Sequence, residues 1–185
     1  MKVFTGISDY DLGDSVVALG TFDGVHAGHR ALIRRAIEIA RAEDWKCAVC
    51  TFDRHPLEVL CPERTPKQLM TLKEKLRAFE ALGADAAVVQ PFTREAANTD
   101  AEVYLRELAR ALRVKCVVVG FNYTFGAGGR GNADMIRRLA PQLGFRAEIL
   151  AAVRDGCDVV SSTLIRSLIE SGDEARAERL TRDMR

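Results

Sequence analysis

Short apolar runs alternate along the chain with segments in which apolar residues recur at helical spacing. Runs of this length, rich in β-branched residues, are typical of strands that are buried on both faces. They predict strands over residues 16–19, 47–52, 86–89, 114–119 and 146–152. The intervening segments predict helices over residues 31–41, 72–82, 101–112 and 134–143. Because strands and helices alternate, the pattern predicts an α/β fold with a doubly wound parallel sheet.

One predicted helix shows its buried face in the sequence. In residues 101–112 the apolar side chains that are predicted to share a face are Val103, Leu105, Leu108 and Leu112. After the last predicted strand, Ser161 opens a helix that ends at residue 170, and Asp173 caps a final charged helix.

Two stretches lack periodicity, residues 54–71 with three prolines and residues 121–132 with four glycines. Each follows a predicted strand directly. In open α/β sheets, ligands bind beyond the carboxyl ends of the strands. We therefore expect both stretches to contribute to a binding site.

Composition and charge exclude several classes of protein. The chain has 185 residues, of which 48% are hydrophobic, so one domain over residues 1–185 with a sizeable core is expected. With 27 basic and 26 acidic residues it has no general field for nucleic acid or an anionic membrane. It contains no apolar run of about 18 residues and no signal-peptide pattern at its start. A cytoplasmic protein is expected.

The cysteine pattern does not indicate a redox pair. The chain has an odd number of cysteines, namely Cys47, Cys50, Cys61, Cys116 and Cys157. Cys47 and Cys50 have the spacing of a redox motif, but both fall on a predicted strand. Residues three apart on a strand face opposite sides of the sheet, so these two are predicted to be buried core cysteines.

The first candidate site is the sequence GTFDGVHAGH of residues 20–29, between the first predicted strand and helix. Gly24 and Gly28 allow a tight turn and a close approach of backbone to a ligand. His26 and His29 stand at a helix entry, where backbone N–H groups and the helix dipole favour a phosphate. Donor or protonated imidazoles there would stabilise charge on a transferred phosphoryl group. A capped turn with incidental histidines is the weaker alternative, because two of the three histidines fall here.

A zinc site is the other use of two close histidines. Zinc sites need three or four ligands, and no cysteine or glutamate pair near residues 20–29 supplies the others. The sequence therefore assigns no metal ligand.

The second candidate site is SSTLIR, which contains Ser161, Ser162, Thr163 and Arg166. Consecutive hydroxyls at a helix start can cap the helix, and capping alone would explain them. They can also donate to phosphate oxygens, with Arg166 reaching back as a bidentate cation. Together with the histidine turn upstream, the phosphate interpretation is favoured.

These two motifs carry a family resemblance. HAGH followed by SSTxIR resembles the double signature of the HxGH nucleotidyl transferases, which implies a Rossmann-like doubly wound sheet. The longer GTFDGVHAGH resembles the adenylyltransferase (FAD synthetase) module of bacterial bifunctional riboflavin kinase/FMN adenylyltransferases. Three further stretches agree in order: TFDRHP at 51–56, PFT at 91–93 and GFNYTFG at 120–126. The likeness covers nearly the whole chain.

The resemblance implies an enzyme that transfers AMP from ATP to FMN. FAD and pyrophosphate would form by direct in-line displacement, with Mg²⁺ bridging the phosphates. It implies that His26, His29 and Arg166 are catalytic. The implied ATP-binding residues are Gly20, Thr21, Phe22, Asp23, Gly24, His26, Gly28, His29, Ser161, Ser162, Thr163 and Arg166. The implied flavin-binding residues are Phe52, His55, Asn122 and Phe125.

Several of these residues have simpler explanations. His55 suits a turn before Pro56, Asn122 suits a turn, and Phe125 suits a core. The chain also departs from the family pattern. Arg54 stands where proline is usual, Leu164 where a basic residue is frequent, and Asn132 where aspartate is usual, although asparagine still caps a helix.

The family resemblance also bears on domains and partners. Leu180-Thr-Arg182 comes near the Leu-Gly-Arg element from which family chains continue into a riboflavin kinase barrel. The expectation is an FMN adenylyltransferase domain without that kinase domain, with ATP and FMN as partners and a separate riboflavin kinase supplying FMN. Two alternatives are an HxGH transferase for another phosphate, such as pantetheine or glycerol phosphate, and a non-catalytic flavin- or nucleotide-binding module.

Overall fold

A computed structural model describes residues 1–181. Arg182, which ends the Leu180-Thr-Arg182 stretch discussed above, lies outside the described residues. The strands are β1 (Lys2–Thr5), β2 (Ser15–Leu19), β3 (Lys46–Phe52), β4 (Ala86–Gln90), β5 (Val114–Gly120), β6 (Thr124–Phe125), β7 (Gly131–Asn132), β8 (Arg146–Leu150), β9 (Arg154–Asp155) and β10 (Asp158–Val159). The α-helices are α1 (Ala27–Ala42), α2 (Pro56–Leu60), α3 (Leu72–Leu82), α4 (Arg94–Ala97), α5 (Ala101–Ala111), α6 (Ala133–Leu139), α7 (Ser162–Glu170) and α8 (Glu174–Thr181).

The predicted parallel sheet is confirmed. Six strands pair in the order β1-β4-β3-β2-β5-β8, and every pair in that sheet is parallel. β9 and β10, and likewise β6 and β7, form small antiparallel pairs outside it. Helices cover both faces, as the alternation of elements predicts.

The core has one layer on each side of the sheet. Side chains along β2 alternate, so that Val17 and Leu19 face one layer while Val16 and Ala18 face the other. α5 and α6 cover the first layer, and α1 and α3 cover the second. A smaller cluster joins α7 and α8.

Cys47 and Cys50 lie in opposite layers of this core, both as free thiols. Burial raises the pKa of Cys47 to about 12. The sequence prediction of two buried strand cysteines is therefore confirmed.

The edge strand β1 was not predicted. Of its four residues only Phe4 is buried, and 48% of Val3 is exposed. Continuous apolar runs mark strands that are buried on both faces, and β1 is exposed at three of its four positions. The segment consequently lacks the apolar run that marks the central strands.

The buried face of α5 corrects one prediction. Val103 is 47% exposed, and Ala101 takes its place with Leu105, Leu108 and Leu112. The reason is the helical period, since residue 103 lies two positions from residue 105, about 200° around the axis. Leu112 is the C-cap residue that directly follows the last residue of α5.

Several element ends differ from the prediction. α1 begins at Ala27 rather than at residue 31, and the strand predicted to end at residue 152 ends at Leu150. The helix predicted over residues 134–143 divides into α6 and a 3-10 turn over Ala140–Leu143. Pro141 lies at the start of that turn and lacks the N–H that would continue the α-helical ladder.

The helix starts follow the predicted caps. Asp173 Oδ1 accepts the N–H of Arg176 in the first turn of α8, and Asn132 Oδ1 accepts that of Met135 in α6.

Within residues 1–181 no helix has the length and apolar composition that a membrane span requires.

Candidate active site

A cavity of about 920 Å³ lies where the central strands end. Its lining includes the last residue of five parallel strands, namely Leu19, Phe52, Gln90, Gly120 and Leu150. This is the edge at which α/β sheets bind ligands. The predicted site residues that line it are Gly20, Thr21, Phe22, His26, Gly28, His29, Phe52, Asn122, Phe125, Ser161, Ser162 and Thr163. Four others, Asp23, Gly24, His55 and Arg166, do not line it.

The two histidines of the first motif form a stacked pair. Their ring centroids are 3.7 Å apart and their planes differ by 20°. His26 caps α1, because its Nδ1 accepts the backbone N–H of His29 at 3.4 Å. Gly28 leaves room for the pair, since a Cβ there would lie 3.3 Å from the His26 ring. The histidines therefore occupy one fixed arrangement at the helix entry.

Both imidazoles are neutral at neutral pH. Burial lowers the pKa of His26 to about 4, against the opposing effect of Asp23. Burial, His26 and Lys75 lower the pKa of His29 well below its usual value. Of the two states expected from the sequence, donor or protonated, the structure favours neutral donors. His26 accepts at Nδ1, so its proton is on Nε2.

Phe22 supports His29 from behind. Its ring is fully buried and packs edge-on against His29 at 5.2 Å and against Phe79 at 5.5 Å. The backbone of Phe22 has a φ of 50°, a conformation that costs free energy in a residue with a bulky side chain. A Cβ on Gly20 would lie 3.0 Å from the Phe22 ring, so a side chain there would press on that ring.

Arg166 is engaged by Asp23 in this structure. The guanidinium pairs with Asp23 Oδ2, and its Nε donates to the carbonyl of Lys67 at 2.7 Å. Asp23 Oδ1 accepts the N–H groups of Leu69 and Met70 at 3.0 and 3.2 Å. Asp23 thus connects three parts of the molecule: the histidine turn, the loop that precedes α3, and helix α7. It also neutralises the charge of Arg166 beside the cavity.

The hydroxyls of the second motif have different partners. Ser161 caps α7 by accepting the N–H of Leu164 at 3.1 Å, as the capping alternative predicts. Ser162 donates to the carbonyl of Asp23 at 2.7 Å and ties α7 to the histidine turn. Thr163 is exposed beside the cavity.

Aromatic side chains from β3 and from the loop after β5 also line the cavity. Phe52 packs edge-on against Phe92 with centroids 4.8 Å apart. Phe125 is 8% exposed and stacks on Tyr123 at 5.7 Å, so it belongs to the core and also lines the cavity. Asn122 is exposed on the same loop.

His55 has the structural role that the turn alternative describes. Its Nδ1 accepts the N–H of Leu57 at 3.1 Å, and Glu58 accepts the N–H of His55 in return. This reciprocal pair caps α2. Burial lowers the pKa of His55.

The departures from the family pattern are accommodated locally. Arg54 pairs with Asp53 at 3.0 Å on the surface, and Leu164 packs partly buried with the α7–α8 cluster.

Across residues 1–181, no three His, Cys, Asp or Glu side chains converge to hold a metal ion.

Sequence reasoning missed three residues close to the site. Gln90 and Tyr104 line the cavity and share a hydrogen bond of 3.2 Å. Lys75 is buried beneath the histidine turn and donates to the Thr21 carbonyl. A signal for Lys75 was available, because it stands one helical turn from Phe79 on the apolar face of a predicted helix.

Comparisons with known proteins identify a family and relatives over most of the chain. The family described as FAD synthetase matches residues 9–164. A putative bifunctional riboflavin kinase/FMN adenylyltransferase of Geobacillus thermodenitrificans is 38% identical, with 94% of this chain and 92% of the relative covered. The bifunctional riboflavin kinase/FMN adenylyltransferase of Escherichia coli is 32% identical over 97% of this chain. This chain spans 59% of the Escherichia coli relative's length.

A solved structure shows the same fold. The crystal structure of a macrolide-efflux protein from Streptococcus pneumoniae superposes with a TM-score of 0.85 at 29% identity, covering 97% of this chain and 59% of that one. The family match extends from before β2 to the start of α7. It includes the whole first motif and residues 161–164 of the second, and it ends before Arg166. The chain therefore belongs to the FAD synthetase family.

Proposed function

We propose that this protein is an FMN adenylyltransferase, which transfers AMP from ATP to FMN and releases pyrophosphate. The observation that carries the proposal is the stacked His26–His29 pair at the entry of α1, in the lining of a cavity that aromatic side chains also line. A cavity of about 920 Å³ is near the upper end of the roughly 300–1,000 Å³ found for small-molecule sites.

The nucleotide is assigned to the histidine side of the cavity. The α1 entry offers backbone N–H groups and two imidazole donors to phosphate oxygens. Thr163 adds an exposed hydroxyl at the start of α7. For Arg166 to bind a phosphate, that phosphate must compete with Asp23 for the guanidinium.

The flavin is assigned to the aromatic side. Phe52 and Phe125 offer ring faces or edges to an isoalloxazine, and Asn122 offers an amide for its polar edge. This assignment leaves the FMN phosphate directed towards the histidine pair, where the α-phosphate of ATP would lie.

In-line displacement suits neutral histidines. The attacking FMN phosphate is already ionised at neutral pH, so the reaction needs no strong general base. Positioning and hydrogen bonds to the growing charge supply the catalysis. The imidazole N–H groups of His26 and His29 can donate these hydrogen bonds without being protonated.

Mg²⁺ belongs to the proposal as part of the ATP complex. This ion keeps several waters and is bound largely through substrate phosphates. The exposed Thr163 hydroxyl beside the cavity is an oxygen donor of the kind that holds Mg²⁺ in P-loop enzymes. Bound there, the ion would neutralise phosphate charge in the transition state.

The domain and the cellular setting complete the proposal. Residues 1–185 form an FMN adenylyltransferase domain that works in the cytoplasm on small-molecule substrates. The names of the relatives pair this activity with a riboflavin kinase. We infer that such a kinase activity supplies the FMN.

An acceptor panel tests the proposed function. Pyrophosphate release from MgATP is measured with FMN, riboflavin, pantetheine phosphate, glycerol phosphate or no acceptor, and products are separated by chromatography. The proposal predicts release with FMN alone and FAD as the product. Release with another phosphate would indicate a different transferase, and flavin binding without release would indicate a binding module.

A further inference from the structure

Lys75 is a charged residue in a position built for an apolar one. It is 4% exposed and lies one turn before the fully buried Phe79 on α3. Within residues 1–181 no carboxylate lies within ion-pair distance of its Nζ. Burial lowers its pKa, and the more distant carboxylates of Asp23 and Glu58 act in the opposite direction. Burying an ammonium without a paired carboxylate is costly, so its retention calls for a reason.

The hydrogen bond of Lys75 points to that reason. Its Nζ donates to the backbone carbonyl of Thr21 at 3.1 Å. The Thr51 hydroxyl, at the end of β3, donates to the same carbonyl at 3.1 Å. Two donors from two different elements therefore converge on one carbonyl of the loop between β2 and α1.

That carbonyl is next to the residue that supports the histidine pair. Thr21 precedes Phe22, whose strained backbone directs its ring against His29. A shift of the Thr21 peptide would turn the Phe22 backbone and release the contact with His29. The charge of Lys75 also acts on His29 directly and lowers its pKa.

We propose that Lys75 is a positioning residue of the adenylyl-transfer site, which fixes the Thr21 carbonyl and thereby the Phe22–His29 contact. Its positive charge lies behind the loop that would receive the triphosphate. The kinetic part of this inference rests on the proposed function, whereas the effect on His29 does not.

A purely structural role predicts different behaviour. Methionine matches lysine in length and is apolar, so Lys75→Met should fold with an unchanged or higher melting temperature. If Lys75 served only to fill space, this variant would also retain full activity. If Lys75 positions the loop, a stable protein should lose activity, because a misplacement of about 1 Å can cost about 100-fold.

The experiment compares Lys75→Met with Lys73→Met, an exposed lysine on the same helix. Melting temperature, the pKa of His29 by NMR, and steady-state kinetics are measured for each. For Lys75→Met we expect an unchanged or raised melting temperature, a raised His29 pKa and kcat/KM for ATP lowered about 10- to 100-fold. The KM for FMN should be unchanged, and Lys73→Met should match the wild type throughout.

A second variant guards against misfolding. Thr51→Val is nearly isosteric and removes the other donor to the Thr21 carbonyl, so it should lower kcat/KM for ATP in the same direction. If Lys75→Met folds and shows wild-type kinetics and an unchanged His29 pKa, the proposal is overturned. If Lys75→Met fails to fold, a fully active Thr51→Val overturns it. A wild type that makes no FAD refutes the proposed function instead. The Phe22–His29 ring contact, followed by NMR in the wild type and in Lys75→Met, then decides the role of Lys75: its loss supports the proposal, and an unchanged contact overturns it.

Discussion

At the scale of single residues, the candidate site depends on two stacked imidazoles, His26 and His29, at the entry of α1. The neutral state of His29 depends on burial and on the positive charge of Lys75, which comes from a segment that no local pattern connects to the histidines. The pairing of Arg166 with Asp23, 143 residues away, is equally a result of tertiary structure.

The histidine pair gives the first prediction. His29→Ala removes a donor from the site, and loss of one such donor typically lowers kcat about 100-fold. Pyrophosphate release with FMN measures the effect, and circular dichroism verifies the fold. Near-normal turnover in a folded His29→Ala protein would remove the catalytic role from this residue.

Asn122 gives a prediction that separates the two ends of the cavity. It is exposed on the loop that carries Phe125, on the aromatic side. Asn122→Ala should raise the KM for FMN several-fold, because it removes hydrogen bonds worth about 1 kcal/mol each, and it should leave the KM for ATP nearly unchanged. Initial rates with each substrate varied in turn provide the measurement. A defect confined to ATP would move Asn122 to the nucleotide side.

At the scale of elements, apolar runs and helical periods predicted the central strands and most helices. The sequence failed where local signals are weak or compete. β1 lacks an apolar run, α1 extends back to the His26 cap, and Pro141 divides one predicted helix. The short helices α2 and α4 were not predicted, because side-chain caps at His55 and Thr93, rather than amphipathic faces, define them.

Gly126 gives the prediction at this scale. Its φ is +71°, and a Cβ there would lie 2.6 Å from Ala101 at the start of α5. Gly144 has a φ of +76° and a ψ of 25°, with open space around it, so Gly144→Ala measures the cost of a left-handed backbone alone. Gly144→Ala should lower the free energy of unfolding by about 1 kcal/mol. Gly126→Ala should lower it by a further 1–3 kcal/mol, because it adds overpacking against Ala101 and a ψ of −179° that favours glycine at positive φ.

Chemical denaturation of the two glycine variants measures this difference. The displaced loop of Gly126→Ala should also weaken FMN binding, since the loop carries Asn122 and Phe125. Equal losses of stability in the two variants would show that the contact with α5 does not hold the loop.

At the scale of the whole molecule, strand order creates the site. The order β1-β4-β3-β2-β5-β8 brings the ends of β2, β3, β4, β5 and β8 to one cavity, and no local sequence pattern specifies that order. The sequence indicated only that two irregular stretches follow strands. The family resemblance supplied their association with the histidine turn.

The buried histidines also make global stability depend on pH. Their folded-state pKa values lie below the unfolded value of about 6.5, with that of His26 at about 4. Between these pH values the unfolded chain binds more protons, so the free energy of unfolding falls as the pH falls from about 6.5 towards 4. The shift of His26 alone corresponds to about 3 kcal/mol. Urea denaturation across this range measures the loss.

A variant isolates the histidine contribution. His26→Asn with His29→Asn keeps a residue able to cap α1 and removes both titrating groups. Its stability should fall less than that of the wild type between pH 6.5 and 4. Parallel pH profiles for the two proteins would show that other groups control acid stability.

The central claim is that the AMP moiety of ATP reaches FMN in this cavity. The most direct measurement incubates the protein with Mg²⁺, FMN and ATP radiolabelled at the α-phosphate, and separates the products by chromatography. The account predicts that the label appears in FAD, in proportion to the pyrophosphate released, and that His29→Ala suppresses both. Binding of ATP and FMN without transfer of the α-phosphate label to flavin would contradict it.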